Sequence, residues 1–181
     1  MNEFSIGSQC LGVERAGPRL SEEQLASFEK EMGIRLPAQL RKFYQCWNGG
    51  LPYPVEVPET SSVWVRLQWP KGAENESYIS LSPATSVTSL LQIHGEPPRD
   101  LQRTWNDFRP HLPPGMMPFS RDPGGGLFLI GIAGMNEGKI FFWQGGMLAD
   151  VADSLEEFFL LMRDEPEAGE SLEAWVRRAY V

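Results

Sequence analysis

Two apolar runs, Gly126–Ile132 and Lys139–Trp143, constrain this chain more than any other stretch. Both are short, rich in β-formers and bounded by Gly, Pro, Asn or Asp clusters, which is how buried strands joined by turns read in a sequence. Asp122–Gly126 and Gly134–Gly138 are short enough to be hairpin connections. Met117–Ser120, Leu127–Gly131 and Lys139–Trp143 are therefore predicted to form a three-stranded antiparallel meander, with the rest of the chain packed on it.

The glycines inside this stretch invite a phosphate-binding reading, and their position argues against it. Gly124, Gly125 and Gly126 precede a strand, whereas a nucleotide-binding loop follows a strand and opens a helix whose N-terminus faces the phosphate. No Lys-Ser or Lys-Thr pair follows them, which excludes a Walker-type loop. They are expected to supply positive φ in a hairpin turn.

At 181 residues the chain is long enough for one domain that buries roughly 70% of its unfolded surface. The first residues lack the basic start and apolar core of a secretory signal, and no apolar run reaches about 18 residues. A cytoplasmic protein with no membrane association is expected. Cys10 and Cys46 are the only cysteines, and Cys46 falls inside an apolar helical pattern, so reduced buried thiols are expected.

The net charge of −8 is concentrated in one place. Between Asp150 and Glu173 stand Asp150, Asp153, Glu156, Glu157, Asp164, Glu165, Glu167, Glu170 and Glu173, against the single base Arg163. The remainder is neutral. Such a chain is not expected to bind nucleic acid, where Lys and Arg must displace counterions. The segment reads either as a solvated face that keeps the protein soluble or as a surface for a basic partner.

Residues 1–19 show no strong period and read as an irregular lead-in with at most one turn of helix. At Ser21 the signal sharpens. Ser21 and Gln24 have capping-box spacing, Leu20 and Leu25 can form a staple, Leu25, Phe28 and Met32 share a face, and Gly33 ends the helix. Pro37 suits the first position of a second helix with Leu40, Phe43, Tyr44 and Trp47 on one side, stopped by Asn48, Gly49 and Gly50. Trp47 is expected in the core, with partner binding as the alternative.

Pro52, Pro54 and Pro58 predict an extended loop from Leu51 to Glu59. Val63, Val65, Leu67 and Trp69 alternate with Trp64, Arg66 and Gln68, the period of a half-buried strand. Tyr78–Leu81 resumes as a second arm, so Ser62–Leu81 is predicted as a hairpin leading into a helical or half-helical stretch, Ser86–Ile93. Residues 94–115 hold five prolines around a short helix within Arg99–Phe108, and read as a variable insertion. Beyond the meander, Met147–Val151 is a predicted edge strand. Ser154 with Glu157 caps a helix carrying Leu155, Phe158, Phe159 and Met162, and Ser171 caps a last one with Leu172, Trp175, Val176 and Ala179 inward. Arg177 and Arg178 complement the negative end of that helix.

Three blocks, LSEEQLASFEKEMGIRLPAQLRKFYQCWNGG, MMPFSRDPGGGLFLIG with GKIFFWQ, and VADSLEEFFLLM, together resemble the SMI1/KNR4 (SUKH) superfamily in its usual order. The matching motif positions are Leu36, Pro37, Trp47, Asn48, Gly49 and Gly50, then Pro118, Phe119, Asp122, Gly124 and Gly125, then Trp143. The resemblance implies a single α+β domain over 1–181, a twisted antiparallel sheet flanked by helices. Its family-like core is about 20–162, with the lead-in, the 94–115 insertion and a C-terminal helix at 171–181 as additions. It further implies a non-catalytic binding protein. Many bacterial members are immunity proteins that neutralise polymorphic toxins, often nucleases, whereas fungal members regulate cell-wall assembly as scaffolds for endogenous clients.

Nothing in the residues points to an enzyme. A G-x-S-x-G elbow, an H-E-x-x-H helix, paired metal-ligand cysteines and a Cys with a plausible nearby His are all missing. His94 and His111 have no acid or cysteine at ligand spacing. No catalytic residue, cofactor or metal is therefore expected. Asp122, beside Arg121, reads as a turn residue rather than a catalytic acid. The candidate partner contacts are Asp153, Glu156, Glu157, Glu165 and Glu167 on charge, with Asp122 and Trp64 added; the partner expected is a protein, most concretely a basic toxin domain.

Overall fold

The computed structural model describes residues 4–6, 9–54, 62–73 and 81–180. Its centre is the predicted meander: β7 (Met116–Arg121), β8 (Leu127–Gly131) and β9 (Ile140–Gln144) pair antiparallel in sequence order. β10 (Met147–Ala152) adds the predicted edge strand, and β6 (Ser89–Leu90) lies on the far side of β7. Phe119 is an extra residue in the β7 ladder, between Pro118 opposite Leu129 and Ser120 opposite Phe128. Such a bulge bends the strand locally.

The continuous apolar runs are explained by burial on both faces. Met117, Phe119, Phe128, Ile130, Ile140 and Phe142 belong to the main core, while Met116, Leu127, Leu129 and Phe141 form a second cluster covered by Phe108, Leu112, Trp143 and Leu148. A strand buried on one face only would have alternated apolar with polar residues. Helix α3 (Leu101–Phe108), capped by Asp100, brings Phe108 edge-on to Trp143 at 6.1 Å between centroids. Residues 94–115 are thus part of the packed fold.

The helices sit where their caps predict. In α1 (Glu22–Met32) Ser21 Oγ accepts from Gln24 N at 3.2 Å, Gln24 Oε1 accepts from Ser21 N at 2.9 Å, and Gly33 at φ 64° ends the helix. Helix α2 (Ala38–Cys46) starts one residue later than predicted, because Pro37 serves as its N-cap. Helix α4 (Leu155–Leu160), capped by Ser154, packs Phe159 on Phe43 of α2 at 5.7 Å and Phe158 on Phe119 of β7 at 5.3 Å. Helix α5 (Leu172–Ala179) is capped by Ser171. Its apolar side centres on fully buried Trp175, with Leu172, Val176 and Ala179 only half-buried.

Four sequence expectations are corrected. The lead-in is β1 (Phe4–Ile6) and β2 (Gln9–Glu14), and β2 pairs with β3 (Leu51–Pro54), a segment predicted to be loop. Prolines are tolerated there because β3 is the outer strand of this sheet, in order β1-β2-β3. The Ser62–Leu81 hairpin is replaced as well. β4 (Val63–Arg66) pairs with β5 (Ala84–Val87) and with β11 (Arg163–Asp164), whereas residues 78–80 of the expected second arm lie outside the described residues. The helical reading of Ser86–Ile93 fails for the same reason: 86–87 and 89–90 are extended, in β5 and β6, because two sheets supply them with partners.

The stretch 84–90 joins those two sheets, and at the other side Gln68 pairs with Asp150 of β10, with N–H to O distances of 2.9 Å in both directions. Gly50, just before β3, ties the first sheet to the five-stranded one by pairing with Leu90 of β6. Gly49 at φ 64° has no room for a side chain: a Cβ would lie 2.5 Å from Leu91 O. Close backbone approach therefore explains the Asn-Gly-Gly motif. Among the described residues, no helix is long and apolar enough to cross a membrane.

Candidate partner-binding surface

The acidic segment folds into two groups of carboxylates. The first lies around a cavity of about 280 Å³ lined by Asp150, Asp153 and Glu157 together with Arg66 and Lys139. β10 supplies Asp150, whose main chain is held by Gln68, the bend before α4 supplies Asp153, and the first turn of α4 supplies Glu157. Glu157 is held at both ends: its N–H donates to Ser154 Oγ at 3.0 Å and its Oε2 accepts from Asp153 N at 2.7 Å. Asp153 faces Lys139 Nζ at 3.4 Å but its side chain is 83% exposed. Glu156, on the same first turn of α4, is exposed.

The second group surrounds α5. Glu165 accepts from Ser62 Oγ at 2.9 Å, and Glu167 lies 3.9 Å from Arg178 Nη2. Glu170 is the carboxylate most fully matched. Arg178 Nε and Nη2 donate to its two oxygens at 2.9 and 2.7 Å, and that pairing holds its pKa below the ordinary carboxylate value. Asp164 and Glu173 are exposed. Of the nine acids, Glu170 is therefore the least able to offer charge to a partner.

The two further candidates are engaged inside the fold. Asp122 closes the β7–β8 hairpin, its Oδ1 accepting from Gly126 N at 2.6 Å and its Oδ2 from Thr85 Oγ1 at 2.9 Å. Trp64 is half-buried, donates from Nε1 to Ser62 Oγ at 3.2 Å, and meets Trp175 edge-on at 6.1 Å. Gly124 and Gly125 form the hairpin tip, and Leu36, Pro37, Trp47, Asn48, Gly49, Pro118 and Phe119 are buried. The motif glycines and tryptophans therefore shape the fold.

Sequence reasoning missed Met135. It lies on a single 3₁₀ turn between β8 and β9, Gly134–Asn136, and is 97% exposed, the one exposed large hydrophobic residue among those described. Its neighbour Asn136 lines the acidic cavity. A methionine inside a glycine-bounded hairpin connection was the available signal, because such turns are normally polar.

Among the described residues no group of three or more His, Cys, Asp or Glu is placed to hold a metal ion. His94 Nδ1 contacts Gln102 Nε2 at 2.7 Å, and His111 is exposed. The model of the SMI1 / KNR4 family (SUKH-1) matches residues 19–161, from just before α1 to the end of α4. β11 and α5 lie beyond the match. No curated protein matches the chain.

Proposed function

Since the chain belongs to the SMI1 / KNR4 family (SUKH-1), we propose that it is a non-catalytic protein-binding module, an immunity protein of the cytoplasm that neutralises a cognate polymorphic toxin by direct contact. The observation carrying this reading is the set of exposed carboxylates Asp150, Asp153, Glu156, Glu165 and Glu167, within a segment, Asp150–Glu173, outside which the chain is charge-balanced. A nuclease cleft built to hold phosphates is basic, and a carboxylate surface competes for it while steering encounter at low salt. An inhibitory contact buries on the order of 1,600 Å², so charge needs an apolar anchor beside it. Met135 is such an anchor, one residue from the acidic cavity.

The test is the association rate with the product of the adjacent open reading frame, measured across a salt series. Changing Glu156, Glu157, Glu165 and Glu167 together to Lys is expected to slow association by about tenfold to a thousandfold. A rate unchanged by the substitutions and by salt overturns the acidic-surface reading. Affinity capture from a lysate separates immunity from the alternative, a scaffold for an endogenous client: a basic toxin domain supports the first, housekeeping proteins alone the second.

A further inference from the structure

Arg121, the last residue of β7, reaches across to α3, where its Nη2 donates to Thr104 Oγ1 at 2.6 Å. Its Nε is buried and has no hydrogen-bond partner. Among the described residues, no carboxylate lies within ion-pair distance of it. Burial pulls its pKa below the ordinary arginine value, partly offset by the charge of Asp107. A half-buried guanidinium whose Nε lacks a partner, with Asp107 acting on it only from beyond ion-pair distance, is costly, and such groups concentrate at sites where a ligand can supply the missing charge.

The same guanidinium lines a cavity of about 270 Å³ walled by Pro97, Pro98, Phe108, Asp100 and Arg103. This cavity shares no lining residue with the one at Asp150. Its chemistry is mixed. Three apolar walls face one cation that lacks a carboxylate among the described residues, while Asp100 and Asp107 stand at the same site. Asp100 is occupied as the α3 cap, accepting from Arg103 N at 3.1 Å, and Asp107 is 3.8 Å from Arg103 Nε. The two aspartates repel a dianion such as phosphate more than a single negative charge, and the prolines and Phe108 favour an apolar body.

We propose that this cavity binds a monocarboxylate with an apolar body, its carboxylate against Arg121 and its body against Pro97, Pro98 and Phe108. Guanidinium and carboxylate match in shape and hydrogen-bonding, which makes arginine the favoured partner for such a group. The ligand is either the C-terminal residue of a peptide or a free small acid; both present the same chemistry.

The test is an NMR titration of the full chain with N-acetyl-leucine, N-acetyl-leucinamide and inorganic phosphate. N-acetyl-leucine is expected to move the Arg103, Thr104 and Arg121 amides saturably, with the amide and phosphate at least about tenfold weaker, as loss of a charge-assisted pair requires. Arg121→Gln is expected to weaken binding by a similar factor, and Asp107→Asn, at an exposed position, to tighten it. Equal binding of acid and amide, absence of saturable shifts with the acid, or unchanged affinity in Arg121→Gln overturns the proposal. Should Arg121→Gln fail to fold, Asp107→Asn decides, and unchanged or weaker binding there overturns it. An N-acetylated tripeptide ending in leucine that binds more tightly than N-acetyl-leucine assigns the site to chain termini; equal binding assigns it to a free acid.

Discussion

The side chain of Asn48 pairs with the backbone of Ile93 as a neighbouring strand would: Nδ2 donates to Ile93 O at 2.9 Å and Oδ1 accepts from Ile93 N at 2.8 Å. Both residues are buried. One amide thereby satisfies a donor and an acceptor that water cannot reach, at the point where the chain leaves α2 and Gly50 begins pairing with Leu90. No other uncharged side chain of this size carries both a donor and an acceptor in that geometry.

Asn48→Ala is therefore expected to cost about 2–4 kcal/mol, because two buried backbone groups lose their partners at once. Equilibrium urea unfolding measures it, and a loss below about 0.5 kcal/mol, the range of ordinary surface substitutions, is the result that contradicts it.

Stability should fall in acid through two carboxylates. Glu22 is held below its ordinary value of 4.5 chiefly by the hydrogen bond from Arg41, then by Gln45, and Glu170 is held below the same value by Arg178. A carboxylate whose folded pKa is depressed stabilises the fold above its unfolded pKa, and that contribution is lost as pH falls through the folded value. Both pairs are at the surface, so the effect is modest and screened by salt. The melting temperature is expected to drop below about pH 4.5, and an Arg41→Gln, Arg178→Gln double variant to show a shallower drop. Calorimetry across pH checks the slope.

Trp175 anchors the terminal helix. It is 1% exposed, meets Trp64 at 6.1 Å and Tyr180 at 5.7 Å, and donates from Nε1 to Asp164 O at 3.0 Å. Arg66 and Arg163 both stack on Tyr180, at 4.9 and 5.1 Å. Trp175→Ala is expected to cost about 3–5 kcal/mol, as loss of a large core aromatic does. Denaturant unfolding reads the cost, and protease cleavage within 165–181 should accelerate in the same variant.

Met135 should separate binding from folding. At 97% exposure its side chain adds little to the folded state, so Met135→Asp is expected to change stability by less than about 0.5 kcal/mol. The same substitution should speed dissociation from the cognate partner, because apolar anchors act mainly on the off-rate. Surface plasmon resonance with a melting curve on the same sample gives both numbers; an unchanged off-rate removes Met135 from the contact.

Much of the frame is legible locally. Ser21 with Gln24, Gly33, Ser154 and Ser171 mark helix ends within a few residues, and the run from Met116 to Gln144 announces its own hairpins. These signals survive because caps and tight turns are satisfied by groups close in sequence. The family motifs are legible too, although their purpose is not. Gly49 reads as a helix stop, and only its approach to Leu91 O shows that a side chain there would collide.

The amino-acid sequence by itself determined the capped starts of α1, α4 and α5, the central meander, the family and the concentration of negative charge from Asp150 onward. Tertiary structure alone decided the rest. It paired β2 with β3 and placed 84–90 between two sheets. It also engaged Asp122 and Trp64 within the fold and left Arg121 without a carboxylate partner among the described residues. The physical reason is the distance between partners: Gly12 meets Tyr53, Trp64 meets Ser86 and Arg163, and Thr85 meets Asp122. A strand or a buried polar group is specified by whatever lies opposite it, and here that is a residue tens of positions away, which no local period records.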